Sequence, residues 1–366
     1  MLVRIEREKG LAAWGELTAI ERPSADRVAP PCPLFGSCGG CQWQHVSIEA
    51  QRAGKKAMVE RALGIALPPV RAAGPELGYR DRARLTVGKA GTLGFHARRS
   101  HEIVDLGEPP RCPLLGPELA RALPALRALA RGMTPGIELD VQAGAEGVHL
   151  NVVRADAVSA AHARREMNRL DEAGIVGLSL AGKATLGRPD VDVAEAGSPP
   201  LAIAAGGFAQ VGRAANAALV AAVLEAVGPE PGIVLELYAG SGTFTRHLVG
   251  VTGGRGRVFA CDGDPAAVER GRRNVPAATW SARPPADSPD TVVLDPPREG
   301  ADRAHLNAAI RARRRIVYVS CDPQTLGRDA RHLKADGFRL VQAEALDLMP
   351  QTFHVEVVAT FEPGPA

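Results

Sequence analysis

The run Val234-Leu235-Glu236-Leu237-Tyr238-Ala239-Gly240-Ser241-Gly242-Thr243 decides the fold. A short apolar stretch stops at a glycine-rich turn, and a helical stretch follows. Glycines at the carboxyl end of a strand let the backbone approach a ligand closely at the edge of a sheet. Downstream, the apolar runs Arg257–Cys261, Thr291–Leu294 and Ile316–Ser320 each close on Gly, Asp or Pro before a helix-like stretch. Continuous apolar strands alternating with helices predict an α/β fold with a parallel sheet covered on both faces. Arg339–Ala343 and Val355–Phe361 are two further strand candidates at the end of the chain.

The turn also selects a ligand. A lone Gly-x-Gly is compatible with many nucleotides. The second strand, however, ends in Asp262, about 20 residues beyond the glycines, where a carboxylate suits the two hydroxyls of a ribose. A helix cap before Pro265 is the plainer role for Asp262 alone. The turn has no third glycine for a pyrophosphate. Together these features favour an adenosine-bearing ligand without phosphate, as in S-adenosylmethionine. Asp295, in Leu294-Asp295-Pro296-Pro297-Arg298, is placed at the same sheet edge.

Cys321 follows the buried-type strand Ile316–Ser320 and precedes Asp322-Pro323, a helix start. A thiol at a strand tip beside a helix N-terminus is expected to face the cleft with a lowered pKa, as a nucleophile needs. Cys261 fits the commoner role of a small buried apolar residue. Glu356 begins an apolar strand. If that strand runs antiparallel to the others, its carboxylate faces Cys321; otherwise it is a solvated edge residue.

Upstream, the chain divides into 1–31, 32–205 and 206–366. The first part ends in Ala29-Pro30-Pro31, and Leu11–Ile20 has room for one or two strands. In the second, Cys32, Cys38 and Cys41 stand at C-x5-C-x2-C spacing, with Cys112 as a distant fourth. That pattern suits zinc or an iron–sulfur cluster. A helix is predicted over Ile48–Leu63, strands over Ala83–Val87 and Leu93–His96, and an α+β region over 113–205.

The 366 residues carry 44 Lys and Arg against 41 Asp and Glu, a net charge of +3. Any nucleic-acid surface must therefore be a local patch. The N-terminus alternates charged with apolar residues and is not a signal peptide. No stretch approaches the ~18 apolar residues of a spanning helix. A reducing cytoplasm is expected, where clustered cysteines mean metal or catalysis more often than disulfides.

These motifs together resemble the RNA uracil-5-methyltransferases, specifically the iron–sulfur branch that modifies 23S ribosomal RNA. The likeness runs from about Ala12 to Phe361. It includes Cys32-Pro-Leu-Phe-Gly-Ser-Cys38-Gly-Gly-Cys41, Gly207-Phe-Ala-Gln210, Asp295-Pro-Pro-Arg, Val319-Ser-Cys321-Asp-Pro and Met349-Pro-Gln-Thr-Phe-His-Val-Glu356. The resemblance implies a C-terminal Rossmann-like methyltransferase domain and a central α+β iron–sulfur domain. It implies Cys321 as nucleophile and Glu356 as base. Gln210, Tyr238, Asp262 and Asp295 become contacts to S-adenosyl-L-methionine, and Cys32, Cys38, Cys41 and Cys112 ligands of a 4Fe–4S cluster. The implied partner is RNA, with 23S rRNA ahead of tRNA, and the enzyme is expected as a monomer. Two departures stand out. Only the last strands of a small RNA-binding β-barrel remain within 1–31. Between Asn274 and Asp290, Ser281 is the sole obvious polar partner for an adenine, and that contact is unassigned.

The chemistry requires this pair. Thiolate addition to carbon 6 of uracil makes carbon 5 nucleophilic, and a base must then remove the carbon-5 proton. The target base must be unpaired or flipped. An amino-group methyltransferase would carry an aromatic where Arg298 stands. A cytosine-5 enzyme would carry a second Cys near Pro297. A non-enzymatic iron–sulfur RNA-binding protein would not need both Cys321 and Glu356.

Overall fold

A computed structural model describes residues 2–10, 12–187, 190–195, 198–253 and 257–365. Val234–Leu237 pairs in parallel with Val258–Cys261 on one side and Thr291–Leu294 on the other. An eight-stranded sheet grows from this centre. Its order is Thr279–Ser281, Val258–Cys261, Val234–Leu237, Thr291–Leu294, Arg315–Ser320, Glu356–Pro363, Phe338–Asp347 and Arg71–Ala72. Glu356–Pro363 is antiparallel to both neighbours; the rest run parallel.

Alternation along these strands explains their unbroken apolar character. Side chains of successive strand residues leave on opposite faces. Val234, Val258, Val293, Val317 and Val319 pack against Leu219, Val223 and Val227 of the helix Arg213–Val227. Leu235, Leu237, Val292, Leu294 and Ile316 enter the opposite core with Leu306, Leu326 and Leu333. The strands are thus largely apolar on both faces, as the sequence predicted; the buried exception in Val234–Leu237 is Glu236.

The helix Ile48–Leu63 forms over the predicted range. Ser47 caps it by accepting a hydrogen bond from the Ala50 N–H, and Gly64 ends it in the left-handed conformation at φ 70°. Its Val59, with Leu67 and Val70, joins the core that holds Leu235 and Leu326. The strand Arg71–Ala72 also completes the edge of the C-terminal sheet. Residues 48–72 therefore pack with the C-terminal sheet, not with the central one, whose core runs from Ala83 to Leu180.

The central seven-stranded sheet has the order Lys183–Leu186, Ile175–Leu180, Val148–Val153, Glu138–Ala143, Arg82–Val87, Leu93–His96 and Ile103–Asp105. The helix Pro117–Ala130 covers one face with Leu119, Leu123, Leu126 and Leu129, against Leu85, Val87, Leu139 and Val141. In Arg82–Val87 the alternation sends Ala83 and Leu85 into this core, and Arg82 and Arg84 to the other face.

Two parts differ from the sequence expectation. The strand Leu2–Lys9 pairs with Ala12–Ala19 as an exposed antiparallel hairpin, so strand structure begins nine residues before Leu11, which itself lies outside the described residues. Asp190–Glu195 pairs with Ser198–Ala204. Pro199 and Pro200 concealed that second strand, since proline is tolerated only where a strand edge is free. Among the described residues no helix is long and apolar enough to cross a membrane.

Candidate active site

The turn after Val234–Leu237 takes the shape its glycines allow. Gly240 has φ 56° and Gly242 φ 107°, both in the left-handed region. A Cβ on Gly242 would meet Val275 at 3.1 Å, so a larger residue would push the turn from its neighbour. Tyr238, also at positive φ (60°), leaves the strand line and is the one bulky residue held so in this turn. Its hydroxyl accepts a hydrogen bond from the Asp302 N–H (3.1 Å), and its ring stacks on His305 at 4.3 Å. These contacts hold the ring at the cavity wall.

Asp262 does not cap the following helix. Asp264 does, accepting from the Ala266 N–H at 2.9 Å. The Asp262 carboxylate instead accepts from the Gly240 N–H and the Asp264 N–H, both at 2.8 Å. It ties the second strand to the glycine turn and faces the same cavity. That cavity is walled by Gln210, Tyr238, Gly240, Asp262 and Asp295 together with Phe208. All four residues expected at the cofactor thus meet in one place. Ser281 does not line it; its hydroxyl donates to the Arg283 carbonyl.

A second, larger cleft of about 770 Å³ shares Phe208, Gln210, Tyr238 and Asp295 with the first, and contains Cys321, Glu356 and Arg298. Arg80, Arg82 and Arg84 also line it, with Arg82 and Arg84 both donating to Asp140, at 2.7 and 3.0 Å. None of these arginines was singled out from sequence. The alternating Arg-Ala-Arg-Leu pattern marks one polar face, but which surface it meets is not local information.

Glu356 starts an interior strand between Arg315–Ser320 and Phe338–Asp347, and is 5% exposed. The solvated-edge role is excluded, and the antiparallel condition is met. Burial raises its carboxyl well above the ordinary range, and nearby Asp295 raises it further. Asp295 is itself pushed up to about 7 by burial.

The thiol departs from expectation. Cys321 is half-buried at the strand tip, but its pKa is raised to about 11, not lowered. Burial is the main cause, and Glu356 and Asp295 add to it; the Arg298 guanidinium opposes them. The helix N-terminus beside it does not outweigh desolvation. Arg298 also donates to His354 Nδ1 at 3.3 Å. His354 is held down to about 4, by burial first and by Arg298, so its ring is neutral. Cys261 lies fully buried in the core, as expected.

Cys32, Cys38, Cys41 and Cys112 line one cavity beside Leu34 and Arg80. Burial raises the Cys38, Cys41 and Cys112 thiols, Cys41 to about 11. Each of these is raised further by at least one other cysteine of the four and lowered by Arg80. Among the described residues, no three His, Cys, Asp or Glu side chains converge closely enough to hold a metal ion. The Arg80 guanidinium reaches both this cavity and the cleft.

Residues 288–362 match the tRNA (uracil-5-)-methyltransferase family profile. The chain is 33% identical over 395 residues to the 23S rRNA (uracil(1939)-C(5))-methyltransferase RlmD of Acidithiobacillus ferrooxidans, covering 95% of this chain and 86% of that protein. It is 35% identical over 409 residues to the RlmD of Azoarcus sp., covering 98% and 91%. Among solved structures it resembles the Pyrococcus abyssi tRNA (uracil-54, C5)-methyltransferase in complex with S-adenosyl-L-homocysteine, with TM-score 0.77, 26% identity, and 98% and 91% of the two chains covered. With such identity along nearly its whole length, the chain belongs to the RNA uracil-5-methyltransferase family.

Proposed function

We propose that this enzyme transfers a methyl group from S-adenosylmethionine to carbon 5 of a uridine in 23S rRNA, through a covalent bond to Cys321. One observation carries the reading. Cys321 and Glu356 share a cleft that opens, through Gln210, Tyr238 and Asp295, on the cavity of Asp262 and the glycine turn. Full-length relatives named for 23S rRNA favour that substrate over tRNA, while the Pyrococcus likeness keeps a tRNA uridine as the second reading.

The residues fit the cofactor: the Asp262 carboxylate is fixed by two N–H donors and retains acceptor capacity for a ribose. Gln210 and Tyr238 stand where the two cavities join. S-adenosylmethionine bound there supplies the methyl group that carbon 5 receives. Cys321 releases its proton to water in the open cleft, its sulfur bonds to carbon 6, and the electrons of the carbon 5–carbon 6 double bond move onto carbon 5 and the carbon-4 oxygen. Arg298 favours the thiolate. After methylation Glu356 takes the carbon-5 proton, the carbon–sulfur bond breaks, and the thiolate departs. Burial and Asp295 make the ionised Glu356 a stronger base than an exposed carboxylate.

Cys32, Cys38, Cys41 and Cys112 are assigned to a 4Fe–4S cluster. Their shared cavity supports this, as does Arg80, which opposes the charge of four thiolates and whose Nε lacks a hydrogen-bond partner among the described residues. The methylation has no redox step, so the cluster's part is structural.

The test is a 23S rRNA fragment carrying 5-fluorouridine. Fluorine cannot leave as a proton, so a cofactor-dependent covalent complex should survive denaturing electrophoresis. No complex, together with no 5-methyluridine on ordinary RNA, would overturn the reading.

A further inference from the structure

Cys321 is walled by two cavities, and the reaction uses only one. The second, about 320 Å³, shares Cys321 and Arg298 with the cleft. Its remaining walls include Arg61 and Met58 from the helix Ile48–Leu63, Gln324 from the helix after Cys321, and Phe353 with His354. Phe353 is 45% exposed, although it is a large apolar side chain. Its ring lies 4.5 Å from that of His354, tilted by 40°. The loop bearing both is held rigidly. Gln351 O accepts from the Gln42 and Trp43 N–H groups, and the Gln351 N–H donates to Gln51 Oε1 at 2.8 Å.

We propose that this second cavity is a subsite for the nucleotide adjoining the methylated uridine, its base stacking on Phe353. The inference rests on the methyltransferase reading above. Three features select an RNA base as occupant. An exposed aromatic face is a sequence-tolerant platform for bases. Two guanidiniums, Arg61 and Arg298, match the phosphates on either side of a nucleotide. Continuity through Cys321 puts the subsite one step along the strand from the reacting ring. A flipped uridine must break its stacking with its neighbours, and an aromatic platform gives the adjoining base a new stacking surface.

The test measures methylation of a 23S rRNA fragment and of two versions with an abasic site immediately 5′ or 3′ of the target uridine. One of the two should lose kcat/KM by roughly 5- to 150-fold, about 1–3 kcal/mol at 1.36 kcal/mol per tenfold. Phe353→Ala should show a comparable loss on intact RNA and little further loss on that abasic RNA. Phe353→Trp should restore the discrimination. If Phe353→Ala and the abasic site lose activity multiplicatively, or neither abasic site matters, the subsite is refuted while the enzyme reading stands. If the wild-type protein methylates no uridine in any fragment, both fall.

Discussion

Glu356 stands level with Cys321 across an antiparallel strand pair, because Val357 is the register partner of Ser320. A thiol and a carboxylate from sequence positions 35 residues apart are thereby fixed on one cleft by backbone pairing. Loop flexibility has little part in their separation.

That placement makes the step after methylation separable. Glu356→Gln keeps shape and polarity but cannot accept the proton. Attack and methylation precede its step, so a covalent protein–RNA adduct should accumulate on unfluorinated RNA. Loss of a general base slows its step by roughly 10²–10⁴-fold. Normal turnover without adduct would remove Glu356 from the mechanism. Cys321→Ala should form no adduct in either background.

Arg298 partly offsets the burial that raises the thiol. With its pKa near 11, Cys321 is almost wholly protonated at neutral pH. The rate of adduct formation should therefore rise about tenfold per pH unit between roughly pH 7 and 9. Removing the opposing positive charge in Arg298→Gln raises the thiol further and should shift the whole profile to higher pH. A pH-independent rate in wild type would contradict a neutral resting thiol.

Glu236, 2% exposed below the glycine turn, accepts from the Thr245 hydroxyl at 2.6 Å and is pushed up to about 8 by burial. Between its unfolded value of about 4.3 and 8, the unfolded chain has released a proton that the folded chain keeps. Stability should fall through that window as pH rises, by up to about 1.4 kcal/mol per unit. Glu236→Gln should thus raise the urea midpoint of ligand-free protein more at pH 8 than at pH 5. Equal effects would show that the carboxyl is not buried neutral.

Lys55 and Asp347 form a fully buried ion pair, and Lys55 also donates to the Met349 carbonyl at 3.0 Å, at the start of the loop leading to Glu356. Lys55→Met leaves Asp347 with Arg52, 3.5 Å away, as its remaining cation. Removal of one buried partner costs about 3–5 kcal/mol. A loss near the lower end, seen in chemical denaturation, is expected here. No change would mean that Arg52 replaces Lys55 completely.

Protein purified anaerobically should contain iron and absorb broadly in the visible, and Cys112→Ser should lose both. Colourless protein with stoichiometric zinc would replace the cluster assignment.

The sequence by itself determined the C-terminal sheet, because strands buried on both faces must be mostly apolar and their ends must carry the turn residues. It also determined which side chains gather at one edge: Asp262, Asp295 and Cys321 follow strand ends, and parallel topology brings those ends together. It had no means of determining whether Glu356 was buried, since that depended on the strand's neighbours and direction. Nor did it set the state of the thiol. Local position beside a helix N-terminus predicted a lowered pKa, but desolvation and two carboxyls from distant segments raise it. The placing of Arg80, Arg82 and Arg84 on the cleft, the Phe353 face and the attachment of residues 48–72 to the C-terminal core were likewise decided by tertiary packing. Each depends on which surfaces meet, and residues far apart in the chain set that through their combined burial and charge.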